Sequence, residues 1–395
     1  MAVTTEALLE SVARIEPILR EHAAEAETRR RLSDAAAAAM KGAGLYRMWI
    51  PRAYGGLEVD PITALRVLEE VARIDSAAAW NLAISVATAL FAVYLDERGA
   101  SEVYGGGDAV LASPLFPPGE AVPVEGGFRV NGRASFASGC HHCDWLLLTA
   151  HIMEHGTARA RANGEPEMWL VALPSGDFEI VDHSWNTVGM RGTGSNDVTV
   201  RDAFVPRHRA GPLVAPESRP SMPQGFEGPL YRCTYWPGVG SLVSIALGVA
   251  RASIDELVAL ATQKTPAYTA SPLCQRSVAQ FQAAQAEAKL GAARAYVYEA
   301  LREVFENAVA GHLVGMQQKM KLELAAIHAA IAAAEAVDLV HAAAGSSGIR
   351  EERDFERHFR DVHVITQHAF SSASRYESVG KLMFGLESDW GFFEF

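Results

Sequence analysis

The groups in this chain that could do chemistry are few and scattered. His368 is one of thirteen histidines and follows the pair Arg360-Asp361. An imidazole changes charge near neutral pH, so it can take a phenol proton or stabilise an anion. The residue after it, Ala369, cannot accept a proton, and no acid lies between Glu227 and Asp255. Ser138 and Ser113 offer hydroxyls that can donate or accept. Phe136 and Trp185 are flat rings suited to packing on another ring. The Gly345-Ser346-Ser347-Gly348 turn can approach a phosphate with backbone NH groups. Cys140-His141-His142-Cys143 invites a zinc reading. A structural zinc site usually takes four ligands from two such clusters, and the chain has no second CxxC. No metal is expected, and the motif reads as a loop cluster beside a strand. No G-x-G-x-x-G opens a helix after a strand, so no nicotinamide-dinucleotide fingerprint is present.

The elements that must position these groups come in three textures. Residues 1–105 are Ala-, Leu- and Glu-rich and read as helices. Asp60-Pro61 is a helix start, and Pro51 to Gly56 a break between helices. Residues 106–215 read as strands: Ala109 to Ala112, Phe128 to Ser138, Trp145 to His151, Met168 to Leu173, Phe178 to Val181 and Asp197 to Val205. Gly and Pro punctuate them, which suggests a compact barrel or sandwich. Residues 216–395 are helical again, with long stretches over Ser277 to Val309 and Arg353 to Phe384. Met320, Leu324, Ile327, Ile331 and Ala334 recur at helical steps and mark one buried stripe. Such helices pack most simply as an antiparallel bundle.

Composition narrows the classes. The chain has 395 residues, net charge −12 and 49% hydrophobic residues. An acidic balance argues against nucleic acid as a partner. No apolar run reads as long enough to span a bilayer, and the start, MAVTTEALLESVARIEP, has no charged-then-apolar leader. A cytoplasmic protein is the expectation. Four scattered cysteines make no disulfide framework.

Several motifs, in this order, resemble the acyl-CoA dehydrogenase superfamily across almost the whole chain. They are LYRMWIPRAYGGL from Leu45, NGRASFASG from Asn131, WNTVGMRGTGSNDV from Trp185, the Gly345 to Gly348 turn, and Arg360-Asp361. RGTGSNDV, FASGCHHCDW, RDVHVITQH and the run RYESVGKLMFGLES from Arg375 point to the branch of reduced-flavin-dependent hydroxylases. The resemblance implies an α+β fold with an N-terminal helical domain, a central β-barrel domain and a C-terminal four-helix bundle. It also implies reduced FMN or FAD with O2 as co-substrate, a separate flavin reductase, and a homotetramer with flavin near a subunit interface.

By the same resemblance, Ser138 lies beside flavin N5, Phe136 stands in for a Trp packed on the ring, and Ser113 sits at another flavin edge. Trp185 covers the ring or fills core. His368 takes the position of the Tyr in the dehydrogenases' Y-E-G, and Ala369 that of its catalytic Glu. With both usual sites for that acid empty, the reading is a flavin-dependent monooxygenase with Ser138 and His368 as its working groups. A dehydrogenase with a displaced base, and a non-catalytic scaffold keeping only the fold, stand as alternatives. Thr88 replaces a His found in many aromatic-substrate members, and Ala134 replaces a Trp. The substrate is therefore left open among a small aromatic, a polyketide ring, an amine and a thioether. Thr265 to Ser271 holds no basic residue where the family places an Arg for the pyrophosphate, and Ala342 replaces a Gln. Weaker adenosine contacts follow.

Overall fold

The computed structural model describes residues 3–215 and 225–394. The N-terminal helices are α1 (Thr5–Arg29), α2 (Asp34–Gly42), α3 (Pro61–Ile74), α4 (Ser76–Thr88) and α5 (Glu97–Tyr104). Asp60 caps α3 by accepting the Thr63 N–H at 2.9 Å, with Pro61 at the first helical position. That is the arrangement the dipeptide predicts. Asp75 caps α4 in the same way and accepts the Ala78 N–H at 2.6 Å.

The central strands are β1 (Leu111–Ala112), β2 (Gly119–Val124), β3 (Gly127–Ala134), β4 (Trp145–Glu154), β5 (Thr157–Ala158), β6 (Met168–Pro174), β7 (Glu179–Ile180), β8 (Val198–Pro206) and β9 (Ala210–Pro212). They form one mixed sheet in the order β7-β8-β3-β2-β4-β6-β9, with β1 and β5 both paired to β4. Three of these strands were not expected. β2 carries Pro123 and is exposed at four of its six positions. It is held by a local hairpin with β3, antiparallel, and by longer-range parallel pairing to β4. β5 and β9 are two and three residues long.

The C-terminal helices are α6 (Pro229–Arg232), α7 (Trp236–Gln263), α8 (Ser277–Val309), α9 (Met316–Ala344), α10 (Phe355–Ile365) and α11 (Arg375–Met383). α9 packs against α8, α7 and α10, which accounts for its burial. The single stripe expected on it is too narrow a description. Met320, Ile327 and Ala334 are buried, while Leu324 and Ile331 sit at a half-buried margin. Lys319 and Glu323 are buried with the apolar positions. The stretch from Arg353 to Phe384 is likewise not one helix. It breaks between α10 and α11, and His368 lies in that break.

The expectation about membrane-length runs needs correcting. Ser76–Tyr94 and Met316–Ser347 are long and apolar enough to cross a bilayer by composition. Of their most apolar windows, 94% and 61% are buried inside the fold, where they serve as core helices.

Candidate active site

Three separate segments meet at the site. The first is α4, which carries Trp80. The second is the loop after β3. Phe136 adopts a left-handed φ of 61° there, and Ala137 N–H donates to Asn196 O at 3.0 Å. This aligns residues 136–139 with residues 193–196. The third is the break after α10, closed by the Ser371 hydroxyl donating to Ile365 O at 2.6 Å.

Trp80 joins them. Its Nε1–H donates to the Ser138 hydroxyl at 3.2 Å. Its ring meets the His368 imidazole edge to face at a centroid distance of 5.3 Å. The sequence alone does not single out Trp80. A Trp on an apolar helix gives no signal of its own, since such a ring usually fills core. Ser138 continues into a run of buried hydroxyls: Ser195 Oγ at 2.6 Å, then Thr193 Oγ1 at 2.7 Å from Ser195. Ser195 and Thr193 were also not singled out, although they lie in RGTGSNDV.

The surroundings of His368 are aromatic. Phe370 lies 5.4 Å away, and its backbone N–H donates to His368 Nδ1 at 3.3 Å. Burial pushes the imidazole down to about 4, so it is neutral at pH 7. With Nδ1 accepting, the ring hydrogen sits on Nε2. Beyond Phe370 runs a wall of rings. Phe370 meets Phe392 at 4.5 Å, Tyr235 contacts both, and Tyr235 stacks on Phe91 at 4.6 Å and 15°. The tail supplies Trp390 and Phe392, and Lys319 holds it by donating to Phe393 O at 2.9 Å.

Asp361 ties this assembly together. It accepts the Ser76 hydroxyl from the start of α4 and the Met190 N–H from the loop before β8, both at 2.5 Å. One carboxylate thus links the helix bearing Trp80, the loop bearing Thr193 and Ser195, and the helix leading to His368. Burial, then repulsion from Glu27, pushes Asp361 up to about 6. Gly189 permits the close approach, because a Cβ there would lie 2.4 Å from Arg360 O.

The remaining expected residues fall in two groups. Phe136 is 69% exposed and meets Trp185 edge to face at 6.1 Å. Trp185 is buried, with Nε1–H donating to Met190 O and Arg191 O. Ser113 follows β1, and its hydroxyl is buried without a hydrogen-bond partner. The Gly345–Gly348 turn follows α9, beside His341, whose ring meets Phe359 of α10 at 4.7 Å. Gly345 has a left-handed φ of 56° and open space where a Cβ would go.

Residues 265–271 hold no basic side chain, yet a cation reaches the turn from just outside them. Lys264, one residue before Thr265, donates from Nζ to Ala344 O at 2.7 Å and to Ser347 Oγ at 2.9 Å. Burial, then Arg353 and Arg350, lowers its pKa. The turn therefore carries positive charge that residues 265–271 do not reveal. These features fit a flavin: an unpartnered buried hydroxyl at Ser113, an exposed ring at Phe136, and a glycine turn beside cations. The Cys-His-His-Cys residues have other partners. His141 bonds Asn196 at 2.9 Å, His142 pairs with Asp34 at 3.0 Å, and both thiols donate to backbone carbonyls.

One surface cleft stands apart from this cluster and another borders it. The larger, about 390 Å³, lies in the β unit beside Phe128, Trp169 and Arg207 and contains none of these residues. The smaller, about 330 Å³, is lined by Thr366, Gln367 and Ala373 beside the His368 loop. Position relative to Trp80 and Ser138, rather than cleft size, identifies the site.

Comparison with known proteins agrees with this architecture. Residues 4–103 match the family model for the acyl-CoA dehydrogenase N-terminal domain, and residues 241–373 that for the C-terminal domain. The indole-3-acetate monooxygenase of Pseudomonas putida is 32% identical over 92% of this chain and 90% of its own length. The oxygenase subunit HsaA of a flavin-dependent monooxygenase from Rhodococcus jostii is 27% identical over 94% of this chain and 96% of its own. Among solved structures, XiaF from a Streptomyces species, in complex with FADH2 and glycerol, superposes with a TM-score of 0.89 at 26% identity. That match covers 98% of this chain and 97% of XiaF.

Proposed function

Because this chain belongs to the acyl-CoA dehydrogenase family, in its branch of flavin-dependent monooxygenases, we propose that it hydroxylates a flat, neutral aromatic or polyketide ring. It works with reduced flavin and O2. A separate reductase supplies the reduced flavin. When bound, reduced flavin provides the two electrons that let one oxygen atom enter the substrate while the other leaves as water.

The observation that carries this reading is Trp80 joining Ser138 to His368 beneath a wall of aromatic rings. Ser138 holds the flavin edge, with Phe136 and Ser113 as further contacts and Gly345 to Gly348 at the phosphates. Trp185 fixes the loop on which Phe136 leans. His368 holds its proton on Nε2 and donates to the reacting oxygen or the substrate, which polarises it without a change of charge. Phe91, Tyr235, Phe370 and Phe392 exclude water and favour a planar guest. Thr88 is buried with its hydroxyl donated to Ile84 O at 2.7 Å, so it offers no ionic anchor. That favours a neutral ring over a phenolate or an amine.

The protein is proposed to act as a cytoplasmic homotetramer. Met383, Phe384 and Leu386, exposed on and after α11, support an assembly that covers them. Light scattering should give a tetramer. The central test mixes the protein with chemically reduced FMN or FAD, then O2 and a panel of fused-ring substrates, in a stopped-flow spectrometer. Hydroxylated product with little hydrogen peroxide supports the reading. Failure to bind reduced flavin overturns it.

A further inference from the structure

The run of hydroxyls behind Ser138 has only one way to arrange its hydrogens. Ser138 Oγ lies 2.6 Å from Ser195 Oγ, Ser195 Oγ 2.7 Å from Thr193 Oγ1, and Thr193 Oγ1 2.8 Å from Met190 O. These are three oxygen–oxygen contacts, and each needs one hydrogen to be attractive rather than a clash of lone pairs. Three hydroxyls supply three hydrogens, and the Met190 carbonyl supplies none. The assignment is therefore forced. Thr193 donates to Met190 O, Ser195 donates to Thr193, and Ser138 donates to Ser195. The Trp80 Nε1–H, which can only donate, occupies one lone pair of Ser138 at 3.2 Å.

All three side chains are nearly inaccessible, at 4% for Ser138, 3% for Ser195 and 1% for Thr193. Water therefore cannot stand in for a missing partner at low cost. Ser138 keeps one free lone pair and no free hydrogen. Toward anything placed beside it, it is an acceptor only.

From this geometry we infer that Thr193 and Ser195 are positioning residues that set the redox preference of the site by fixing the direction of the Ser138 hydroxyl. The inference rests on the reading above that Ser138 faces flavin N5. Reduced flavin carries a hydrogen on N5 and meets the Ser138 lone pair as a donor. Oxidised flavin presents a lone pair there. To satisfy it, the whole chain would have to reverse, leaving Thr193 Oγ1 and Met190 O facing each other with no hydrogen between them. The scaffold thus selects the reduced cofactor before any substrate arrives. Selection of this kind suits an oxygenase that receives flavin already reduced.

The test is anaerobic titration of reduced flavin and aerobic titration of oxidised flavin, with melting curves on the same samples. Ser195→Ala removes the acceptor that holds the Ser138 hydrogen. Thr193→Val lets Ser195 turn and donate to Ser138. Either change frees the Ser138 hydrogen for oxidised N5. The ratio of oxidised to reduced dissociation constants should fall about tenfold in both variants, chiefly through tighter binding of oxidised flavin. For a two-electron couple, the bound flavin potential then drops by about 30 mV. Thr193→Ser, which keeps the hydroxyl, should behave as wild type.

A purely structural role would weaken both redox states together, and an unchanged ratio in both variants overturns the inference. Ser138→Ala separates this failure from that of the underlying reading. If it alters neither affinity, Ser138 does not face the flavin and the site assignment fails. If it lowers the ratio while Ser195→Ala and Thr193→Val do not, the assignment stands and the hydroxyl chain is not what sets the preference.

Discussion

Trp80 and His368 meet edge to face at 5.3 Å, although one lies on the second buried helix of the N-terminal region and the other in a loop near the C-terminus. The contact places the imidazole one ring away from the Ser138 hydroxyl. It also leaves His368 with aromatic neighbours and a pKa pushed down to about 4. A neutral imidazole whose Nδ1 already accepts the Phe370 N–H is a hydrogen-bond donor before it is a base.

Two substitutions distinguish those roles. His368→Asn retains an N–H donor, while His368→Ala retains none. If donation is the role, Asn should keep a substantial share of coupling and Ala should release mostly hydrogen peroxide, with reduced flavin still bound in both. If His368 instead acts as a base, both should lose about 10²–10⁴-fold in hydroxylation rate. Unchanged coupling with a lower melting temperature would point to a scaffold residue. Product and peroxide measured per turnover decide among these.

The acid that a dehydrogenase needs is absent from its two usual places, Ala369 and the stretch Tyr235 to Arg251. The rings touching His368 bring no carboxylate. We expect no oxidation of straight-chain acyl-CoA thioesters by the flavin-loaded protein with an artificial electron acceptor. Turnover across a chain-length panel would contradict this.

Lys264 stands at the glycine turn proposed to meet the flavin's phosphates, so it should matter chiefly to the distal half of a dinucleotide. Lys264→Ala is expected to weaken reduced FAD by about tenfold and leave reduced FMN unchanged, a charge-assisted contact being worth roughly 1.5–3 kcal/mol. Equal losses for both flavins would place Lys264 elsewhere in the binding mode. Isothermal titration under argon reads the difference.

Asp361 gives a pH dependence with a defined sign. Its folded pKa of about 6 lies above the ordinary aspartate value of 3.8, and burial is the main cause. Such a group favours the folded state fully below its unfolded pKa, and that stability is lost as pH rises through the folded value. Asp361→Asn mimics the protonated form and removes the titration. Between pH 3 and 7 the wild type should lose about 3 kcal/mol relative to this variant, from ~1.4 kcal/mol per pKa unit. Urea unfolding at several pH values checks it, and parallel curves would mean that Asp361 titrates alike in the folded and unfolded chain.

The tail rings offer a test of specificity. Phe392→Ala opens the wall against Phe370 and Tyr235. We expect KM for a planar substrate to rise several-fold, with bulkier rings now accepted and flavin affinity unchanged. An unaltered substrate profile would make the tail a structural plug.

Much of the architecture was legible in the chain itself. Local signals carried it: the Asp60-Pro61 cap, the long helical stretch over Ser277 to Val309, and the punctuated strand region, each depending on residues within a few positions of one another. The sequence also marked His368, Ser138 and the missing acid at Ala369, because these sit at fixed spacings from recognisable motifs. It could not reveal β2, whose Pro123 and exposed face carry no strand pattern and whose pairing reaches a distant strand. It did not reveal Lys264 at the glycine turn either, since that contact closes between residues eighty positions apart. Only the tertiary structure decided that Trp80 joins Ser138 to His368, that Asp361 ties three segments together, and that Ser138, Ser195 and Thr193 form one run of hydroxyls ending at Met190 O. The reason is physical. Spacing fixes which groups a segment carries, but the direction of a hydroxyl hydrogen depends on every oxygen packed around it. Those oxygens come together only when the chain is folded.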